Sequence, residues 1–227
     1  MSRTIYVINP NSTERVTREI DVAVAPLRLD GGPAIECLTL ADGPPGIQSQ
    51  RDVDGLIPAL LKRAAGLENE TAAFVVACFS DPGMHALREQ SEKPVLGIAE
   101  AGVLTALTLG HRFGIVAMLQ NSIPRHLRYL GAMGVMDRFA GDLPVNLTIA
   151  EMADDALTLG RMLAVGRSLR DTHHADVLVM GCAGMARFRE ALERELGIPV
   201  VEPTQAAVTL AIGRVRLGWG GRPLRGG

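Results

Sequence analysis

Short apolar runs alternate along this chain with longer segments in which apolar residues recur every three or four positions. The short runs are rich in β-branched residues and end at turn-forming residues, which indicates buried strands. The predicted strands are residues 4–9, 34–40, 72–78, 94–98, 112–118, 143–149, 176–182 and 198–202. Because buried strands that alternate with helices form parallel sheets covered on both faces, the pattern predicts an α/β fold.

The segments between the strands have the spacing of helices. The first of them begins at Ser12 and Thr13, whose hydroxyl groups are candidates for the N-cap. The predicted helices are residues 12–27, 51–67, 83–90, 123–133, 151–170 and 185–195, with two further Ala/Thr/Leu helices after the strands at 94–98 and 198–202.

One half of the sequence resembles the other. PVLGIAEAGVLTALTLG at 94–110 recurs as PVVEPTQAAVTLAIGRVRLG at 199–218, with Val200 lying 105 residues after Val95 (200 − 95). A repeat of this kind indicates a duplicated supersecondary unit. We therefore predict two pseudo-symmetric, doubly wound half-domains with parallel sheets, and an active site in the cleft between them. The first lobe is residues 1–97 plus 205–227, and the second is 98–204.

The three cysteines fall into two kinds of position. Cys37 lies inside an alternating strand, where a cysteine is usually an inert core residue. Cys78 and Cys182 are 104 residues apart (182 − 78), and each is the last residue of a predicted strand, followed by small residues. Ligands of parallel α/β sheets bind beyond the carboxyl ends of the strands. An odd number of cysteines without an export signal also predicts free thiols rather than disulfides.

Two thiols in like settings suit acid/base chemistry. The pKa of a thiol falls from about 8.5 toward neutrality at a helix N-terminus or beside hydrogen-bond donors. Proton transfer is most effective when the pKa of the group lies near the working pH. A thiolate on one side of a carbon and a thiol on the other would remove and return a proton, and so invert that carbon.

Four motifs carry a resemblance to a known family. They are NPNST at 9–13, CFSDPGM at 78–84, GCAGM at 181–185 and PVVEP at 199–203. With them the chain, over residues 4–217, resembles the aspartate/glutamate/hydantoin racemase superfamily, and most closely its hydantoin and allantoin racemase branch. The resemblance implies racemisation without a cofactor, through an enolate, with Cys78 and Cys182 as the two acid/base residues.

The resemblance also implies how the substrate is held. Backbone N–H groups after each cysteine, and a polar side chain of the first loop, would bind the substrate's carbonyl oxygen: Phe79, Ser80, Ala183, Gly184 and Asn11. In the amino-acid racemases of the superfamily a threonine follows each cysteine, whereas Phe79 and Ala183 stand there in this chain. The difference favours a neutral five-membered ureide ring, a 5-substituted hydantoin or allantoin, over a free amino acid.

Some positions depart from the family pattern or allow a second interpretation. Ala117 and Met118 replace a threonine pair that is usual after the fifth strand, and Gln48 replaces a glutamate. Met118 and Ile47 would make an apolar rim for the substrate, although a methionine at a strand end is more often a core residue. Two polar residues have a structural alternative as helix caps: Asn11 for the first helix and Asp81 for the helix at 83–90.

Several other functions remain open at this stage. Within the superfamily they are an aspartate/glutamate-type racemase, a maleate isomerase-type enzyme and an arylmalonate decarboxylase-type enzyme. The decarboxylase keeps one catalytic cysteine, so the presence of both Cys78 and Cys182 speaks against it. A Cys–His hydrolase would need a histidine near a thiol, and His85, expected to face solvent, is the nearby candidate. The last alternative is a non-catalytic two-lobed protein that binds a small molecule.

Composition excludes several partners. The net charge is −2, with 47% hydrophobic and 21% charged residues, so neither nucleic acid nor an anionic membrane is indicated. No segment has the roughly 18 apolar residues of a membrane helix, and we expect a cytoplasmic protein. Lys62, Lys93 and the adjacent pair His173 and His174 are placed for neither a Schiff base nor a metal site, so no cofactor and no metal are expected. The apolar helices are compatible with a homo-oligomer.

Overall fold

The chain folds into two compact units. The computed structural model describes residues 4–147 and 151–220. Unit 1 contains the residues up to Ala101 together with those from Thr204 onward, and unit 2 is Gly102–Pro203. The sequence led us to expect these two passages at 97/98 and 204/205. Residues 1–3 and 221–227 of the expected first lobe lie outside the described residues.

Unit 1 is built on one parallel sheet. Its strands, in the spatial order β2-β1-β3-β4, are β1 (Thr4–Asn9), β2 (Ala34–Thr39), β3 (Thr71–Val76) and β4 (Val95–Gly97). Val7 of β1 lies opposite Cys37 of β2 and Val75 of β3. Every residue of β3 is buried, which explains its uninterrupted run of apolar residues between two covered faces.

Unit 2 repeats this sheet. Its strands, in the order β6-β5-β7-β8, are β5 (Phe113–Ala117), β6 (Phe139–Pro144), β7 (Val177–Met180) and β8 (Val200–Val201). All pairs are again parallel, and each strand takes the place that the strand four positions earlier takes in unit 1. The prediction of an α/β fold with two equivalent parallel sheets is therefore confirmed.

Helices connect the strands of each sheet. They are α1 (Glu14–Val24), α2 (Gln50–Gly55), α3 (Ile57–Ala65), α4 (Met84–Gln90), α5 (Ile98–Leu109), α6 (Ile123–Met133), α7 (Asp155–Asp171), α8 (Arg189–Leu196) and α9 (Pro203–Leu217). The passages between the units lie within α5 and at the start of α9. In the part of the chain that the structure describes, no helix combines the length and the hydrophobicity needed to span a bilayer.

Three of the predicted elements differ from the structure by a break or by more than a few terminal residues. The helix expected at 51–67 is broken into α2 and α3, because Pro58 lacks the N–H that a continuous helix needs and is instead tolerated in the first turn of α3. The strand expected at 143–149 is β6, which ends at Pro144, and residues 148 and 149 lie outside the described residues. Asp142 is the one buried residue of β6, so this edge strand lacks an apolar pattern to predict it from. The helix expected from residue 151 begins only at Asp155, after Asp154 has capped its first turn.

Candidate active site

Cys78 is the second residue after the end of β3. The strand stops at Val76 rather than at the cysteine, which corrects the predicted end. The N–H of Ala77 still donates to the carbonyl oxygen of Ile8 in β1, at 2.9 Å, so the chain leaves the sheet at Cys78 itself. The cysteine is partly exposed between two buried neighbours, Ala77 and Phe79.

Cys182 repeats this placement in unit 2. It is the second residue after β7, which ends at Met180 and not at the cysteine as predicted. The N–H of Gly181 donates to the carbonyl oxygen of Val116 in β5, again at 2.9 Å. Cys182 is also partly exposed, between the buried residues Gly181 and Ala183. The two thiols are thus equivalent in the topology of their units.

A tight turn follows Cys78. The N–H of Asp81 donates to the carbonyl oxygen of Cys78 at 2.9 Å, with Phe79 buried and Ser80 partly exposed between them. The N-cap of α4 is Gly83, so Asp81 does not take the capping position for the helix at 83–90 that was its structural alternative. The carboxylate of Asp81 accepts hydrogen bonds from the N–H groups of Ala99 and Glu100, in the first turn of α5.

A short 3₁₀ helix, Ala183–Phe188, follows Cys182. The N–H of Met185 donates to the carbonyl oxygen of Cys182 at 3.2 Å, which closes a turn like that at Cys78. Arg187 holds this turn from outside, since it donates to the carbonyl oxygen of Gly184 at 3.0 Å and to that of Met152 at 2.9 Å. Arg187 was not predicted, because its partners are backbone atoms that the sequence does not reveal.

Asn11 lies in a loop organised by Asn9. The Asn9 side chain is fully buried, and its amide nitrogen donates to Asn11 Oδ1 at 3.1 Å and to Thr17 Oγ1 at 3.0 Å. Asn11 Oδ1 also accepts the N–H of Thr13 at 2.9 Å. The oxygen of Asn11 therefore holds the start of α1, and its Nδ2 has no hydrogen-bond partner among the described residues. The role of Asn9 could have been inferred from an asparagine at the end of an apolar strand.

The loop after β2 packs directly on the Asn11 loop. The N–H of Ser12 donates to the carbonyl oxygen of Pro44 at 2.9 Å, and Thr13 Oγ1 donates to that of Pro45 at 2.7 Å. A Cβ at Gly43 would lie 2.5 Å from the carbonyl oxygen of Pro10, so only glycine allows this approach. The segment leads to Ile47, which is partly buried against the core of unit 1.

Met118 occupies the matching edge of unit 2. It follows β5 directly and is partly buried against the core of that unit. Its carbonyl oxygen accepts the N–H of Asn146, whose φ of 51° lies in the left-handed region. Asn146 Oδ1 in turn accepts the N–H of Gln120 at 3.1 Å, so the loops after β5 and β6 are joined.

The structure thus gathers the predicted residues at the carboxyl edge of each sheet. In a parallel sheet all strands end at the same edge, and residues that follow them share it. In unit 1 these residues are Asn11, Ile47, Cys78, Phe79 and Ser80. In unit 2 they are Met118, Cys182, Ala183 and Gly184.

Cys37 lies within β2, and His85 is the second residue of α4. Burial, and secondarily the Asp21 carboxylate, raise the pKa of the Cys37 thiol to about 12, so it is protonated at neutral pH. His85 is exposed on α4, as expected. None of the three cysteines forms a disulfide. Within residues 4–147 and 151–220, no group of three His, Cys, Asp or Glu residues is arranged to hold a metal ion.

Comparison with known proteins agrees with this architecture. Residues 5–211 match the Asp/Glu/Hydantoin racemase family. A hydantoin racemase from Pseudomonas sp. (strain NS671) is 35% identical over 217 residues, which cover 94% of this chain and 86% of that protein. An allantoin racemase structure from Klebsiella pneumoniae has a TM-score of 0.89 and 31% identity, covering 97% of this chain and 91% of the other. One from Pseudomonas fluorescens has a TM-score of 0.91 and 27% identity, with 98% and 94% covered.

The chain belongs to the Asp/Glu/Hydantoin racemase family. It is accordingly an isomerase of the racemase class.

Proposed function

We propose that this racemase inverts the ring carbon C5 of 5-substituted hydantoins or of allantoin, by proton transfer between Cys78 and Cys182. The observation that carries the proposal is the equivalent placement of the two thiols. Each is the second residue after the third strand of its unit, and each is partly exposed between buried neighbours. The similarity to a hydantoin racemase and to allantoin racemases supports the choice of substrate.

The reaction requires one thiolate and one thiol on opposite faces of C5. The thiolate removes the proton from C5, and the electron pair of the broken C–H bond moves to the adjacent carbonyl to form an enolate. The opposite thiol then gives its proton to the other face of C5, and the carbonyl re-forms. Atoms balance without a co-reactant, and the two sulfurs have exchanged protonation states.

Hydrogen-bond donors would stabilise the enolate oxygen. The candidates are the backbone N–H groups of Phe79, Ser80, Ala183 and Gly184. Asn11 would add its Nδ2, since its Oδ1 is already bonded within the loop. In acyl-transfer enzymes one such donor is worth about 3 to 4 kcal/mol of the barrier.

The side chains at the two edges suit a neutral ring. Phe79 and Ala183 offer no hydroxyl or charge to the ammonium and carboxylate of a free amino acid. Ile47 and Met118 are partly buried apolar residues, and they would form the rim against the 5-substituent. Gln48 is exposed, and it stands where a glutamate is usual in the family pattern.

Optical rotation tests the proposal. Enantiopure allantoin and 5-benzylhydantoin are incubated with the wild type, Cys78→Ser, Cys182→Ser and Cys37→Ser, and free L-aspartate is a third substrate. We expect rotation to decay with the wild type and with Cys37→Ser on at least one ring substrate, and the other two variants to lose about 10²-fold or more. Full activity in either of them would contradict the two-thiol mechanism. Decay with aspartate alone would contradict the choice of substrate.

Racemisation in deuterated water distinguishes a mechanism with two thiol bases from one with a single base. With two, every product molecule carries deuterium at C5 from the first turnovers, while recovered substrate keeps its hydrogen. A single base would return part of the original hydrogen to the product. A hydrolase would change the mass of the substrate by that of water, and a binding protein would leave rotation unchanged.

We further propose, from the sequence, that the protein is cytoplasmic and forms a homo-oligomer. Several large apolar residues are exposed on the helices of both units, among them Leu104 and Leu109 of α5 and Leu210 of α9. Sedimentation of the purified protein at several concentrations measures its mass. A monomer at all concentrations would contradict this expectation.

A further inference from the structure

Asp81 joins the Cys78 turn to the first turn of α5. Its carboxylate accepts the N–H groups of Ala99 at 2.9 Å and Glu100 at 2.8 Å. N–H groups in a first turn lack partners within the helix, and the helix dipole favours a negative charge there. Asp81 is only 6% exposed. Two charge-assisted hydrogen bonds, donated by the backbone of α5 to a buried carboxylate, therefore fix the position of this turn on α5.

The backbone of Asp81 continues this connection to the thiol. Its N–H bonds the Cys78 carbonyl oxygen at 2.9 Å, and its φ of 42° lies in the left-handed region. Phe79 and Ser80 are the central residues of the turn so formed. The bond of Ala77 to β1 fixes one end of the turn, and Asp81 fixes the other.

Gly97 makes room for the carboxylate. A Cβ at this position would lie 2.1 Å from Cγ of Asp81 and within 2.4 Å of both carboxylate oxygens. No residue larger than glycine is compatible with Asp81 on α5. Gly97 is the last residue of β4, directly before the helix. The glycine and the aspartate therefore form a matched pair.

Arg88 holds the other end of the same segment. It lies on α4, where its Nε donates to the carbonyl oxygen of Val95 at 3.0 Å and its guanidinium pairs with the carboxylate of Glu100. The chain from Cys78 through α4 is consequently attached to β4 and α5 at both ends.

Unit 2 has the same turn, with an apolar residue at the position of Asp81. The residue 104 positions after Asp81 is Met185 (81 + 104), which is fully buried and donates its N–H to the Cys182 carbonyl oxygen. Given the proposed function, we propose that Asp81 is a positioning residue for Cys78. It holds this thiol, and the N–H groups of Phe79 and Ser80, in the geometry that proton transfer needs.

Asp81→Asn tests the proposal with little change of shape. The carboxamide can accept one of the two N–H groups but presents its own N–H₂ to the other. We expect kcat to fall about 10- to 100-fold with KM within a few-fold of wild type, because displacement of about 1 Å costs about that much. Iodoacetamide labelling of each thiol, measured by mass spectrometry, should show a severalfold faster rate at Cys78 and an unchanged rate at Cys182.

The chain offers a matched control. The carboxylate of Asp176 also accepts two backbone N–H groups, of His111 at 2.9 Å and Arg112 at 2.8 Å, and it also lies against a glycine, Gly110. It precedes β7, at the end of the strand away from Cys182. Asp176→Asn should therefore lower Tm with kcat and both labelling rates at wild-type values.

A second set of three variants covers the case in which Asp81→Asn does not fold. Gly97→Ala keeps the aspartate but displaces its carboxylate, so it should lower kcat and raise Cys78 labelling as Asp81→Asn does. Asp81→Ala/Gly97→Ala should be no worse than Asp81→Ala, because both changes break the same contact.

Three results would overturn the proposal. The first is an Asp81→Asn variant whose Tm is lowered but whose kcat and Cys78 labelling rate equal those of the wild type. Asp81 would then be only a structural cap. The second is equal acceleration of labelling at both cysteines, and the third is additive effects in the double variant. A wild type without racemase activity would contradict the proposed function. The effect of Asp81→Asn on the labelling rates could still be measured, because labelling does not depend on turnover.

Discussion

The N–H of Ala77 donates a hydrogen bond of 2.9 Å to the carbonyl oxygen of Ile8, and the next residue is Cys78. Gly181 makes the same bond to Val116 immediately before Cys182. In both units the residue before the cysteine is hydrogen-bonded to the neighbouring strand. The backbone that carries each thiol is therefore attached to a rigid sheet. Sites placed on rigid elements hold their geometry better than sites on free loops. What differs between the units is the support beyond each thiol.

Substitution of Asn11 tests whether its side chain donates a hydrogen bond to the substrate or only supports the loop before α1. Asn11→Asp keeps an oxygen that can accept the N–H of Thr13 and the amide of Asn9, but it replaces the Nδ2 donor with a second oxygen. If Nδ2 binds the enolate oxygen, a carboxylate there repels it, and we expect kcat/KM to fall about 10²-fold or more. Racemisation of the preferred ring substrate, followed by optical rotation, measures the loss.

Asn11→Ala provides the comparison. It removes both the oxygen and the nitrogen, so it should lower stability by about 1 kcal/mol through loss of the hydrogen bonds from Thr13 and Asn9, as well as lower activity. Asn11→Asp should be at least as inactive as Asn11→Ala while it unfolds at a similar urea concentration to wild type. An active Asn11→Asp would show that Asn11 only supports the loop before α1.

Gly43→Ala should displace the Asn11 loop. The added Cβ would lie 2.5 Å from the carbonyl oxygen of Pro10, 3.0 Å from that of Leu40 and 3.2 Å from Asn11 Cα. All three are backbone atoms, so no side chain can rotate away. We expect a loss of about 1 to 3 kcal/mol in the free energy of unfolding, as for other overpacked sites, and a lower kcat/KM.

Gly131→Ala is the control for this substitution. Gly131 is exposed on α6, with nothing within 4 Å of its would-be Cβ. Alanine has the higher helix propensity, so stability should rise by about 0.5 to 1 kcal/mol with activity unchanged. Urea unfolding and optical rotation compare the pair. Equal stability of the two variants would contradict the close packing at Gly43.

The sequence revealed the strands and both thiols because these depend on local pattern. The strand at 4–9 was predicted with its observed ends, and the offset of 104 residues correctly pointed to equivalent positions for Cys78 and Cys182. Asp81 was assigned to the wrong helix, since a capping residue lies next to its helix in space but not always in sequence. Its acceptor role on α5, 18 residues away, needs the parallel pairing of β3 with β4. The ends of β3 and β7 were predicted two residues too late, because the run without charged residues continues to each cysteine.

Cys37 should be the slowest of the cysteines to alkylate at pH 8. Burial, with the Asp21 carboxylate, raises the pKa of its thiol from 9.0 to about 12, and Arg28 only partly opposes this. The thiolate fraction is then about a thousandfold below that of an ordinary cysteine. The higher nucleophilicity of a more basic thiolate offsets part of this, which leaves a net slowing of about 30- to 60-fold. Mass spectrometry of iodoacetamide-treated native protein measures the rate against a small cysteine peptide.

The same pKa shift gives stability a pH dependence. The unfolded chain loses the Cys37 proton near its ordinary pKa and the folded protein only near 12, so the contribution is fully present below about pH 8.5. It is lost as the pH rises through the interval between the two values. Between about pH 8.5 and 10, the free energy of unfolding should therefore fall more steeply with pH for the wild type than for Cys37→Ala. Parallel slopes in urea titrations would contradict the shift.

His126 and Asp142 form a buried pair in unit 2. Their side chains are 4% and 1% exposed, and His126 Nδ1 lies 2.7 Å from Asp142 Oδ2. The second oxygen of Asp142 is buried without a hydrogen-bond partner among the described residues. His126→Leu would remove the imidazole that bonds the buried Asp142 carboxylate. We therefore expect a loss of about 3 to 5 kcal/mol in the free energy of unfolding, measured in urea at pH 7.

Removal of both partners should restore most of that loss. In His126→Leu/Asp142→Leu the apolar side chains of α6 and β6 can pack without a buried charge, and replacements of this kind are often neutral or stabilising. Arg18→Ala breaks an exposed pair with Glu14, whose side chains are 70% and 79% exposed, and it should have little effect. If the double variant is as unstable as His126→Leu, the cost comes from lost packing of the imidazole rather than from the unpaired carboxylate. Recovery of stability in the double variant would instead show that His126 stabilises the protein mainly by pairing with the buried Asp142 carboxylate.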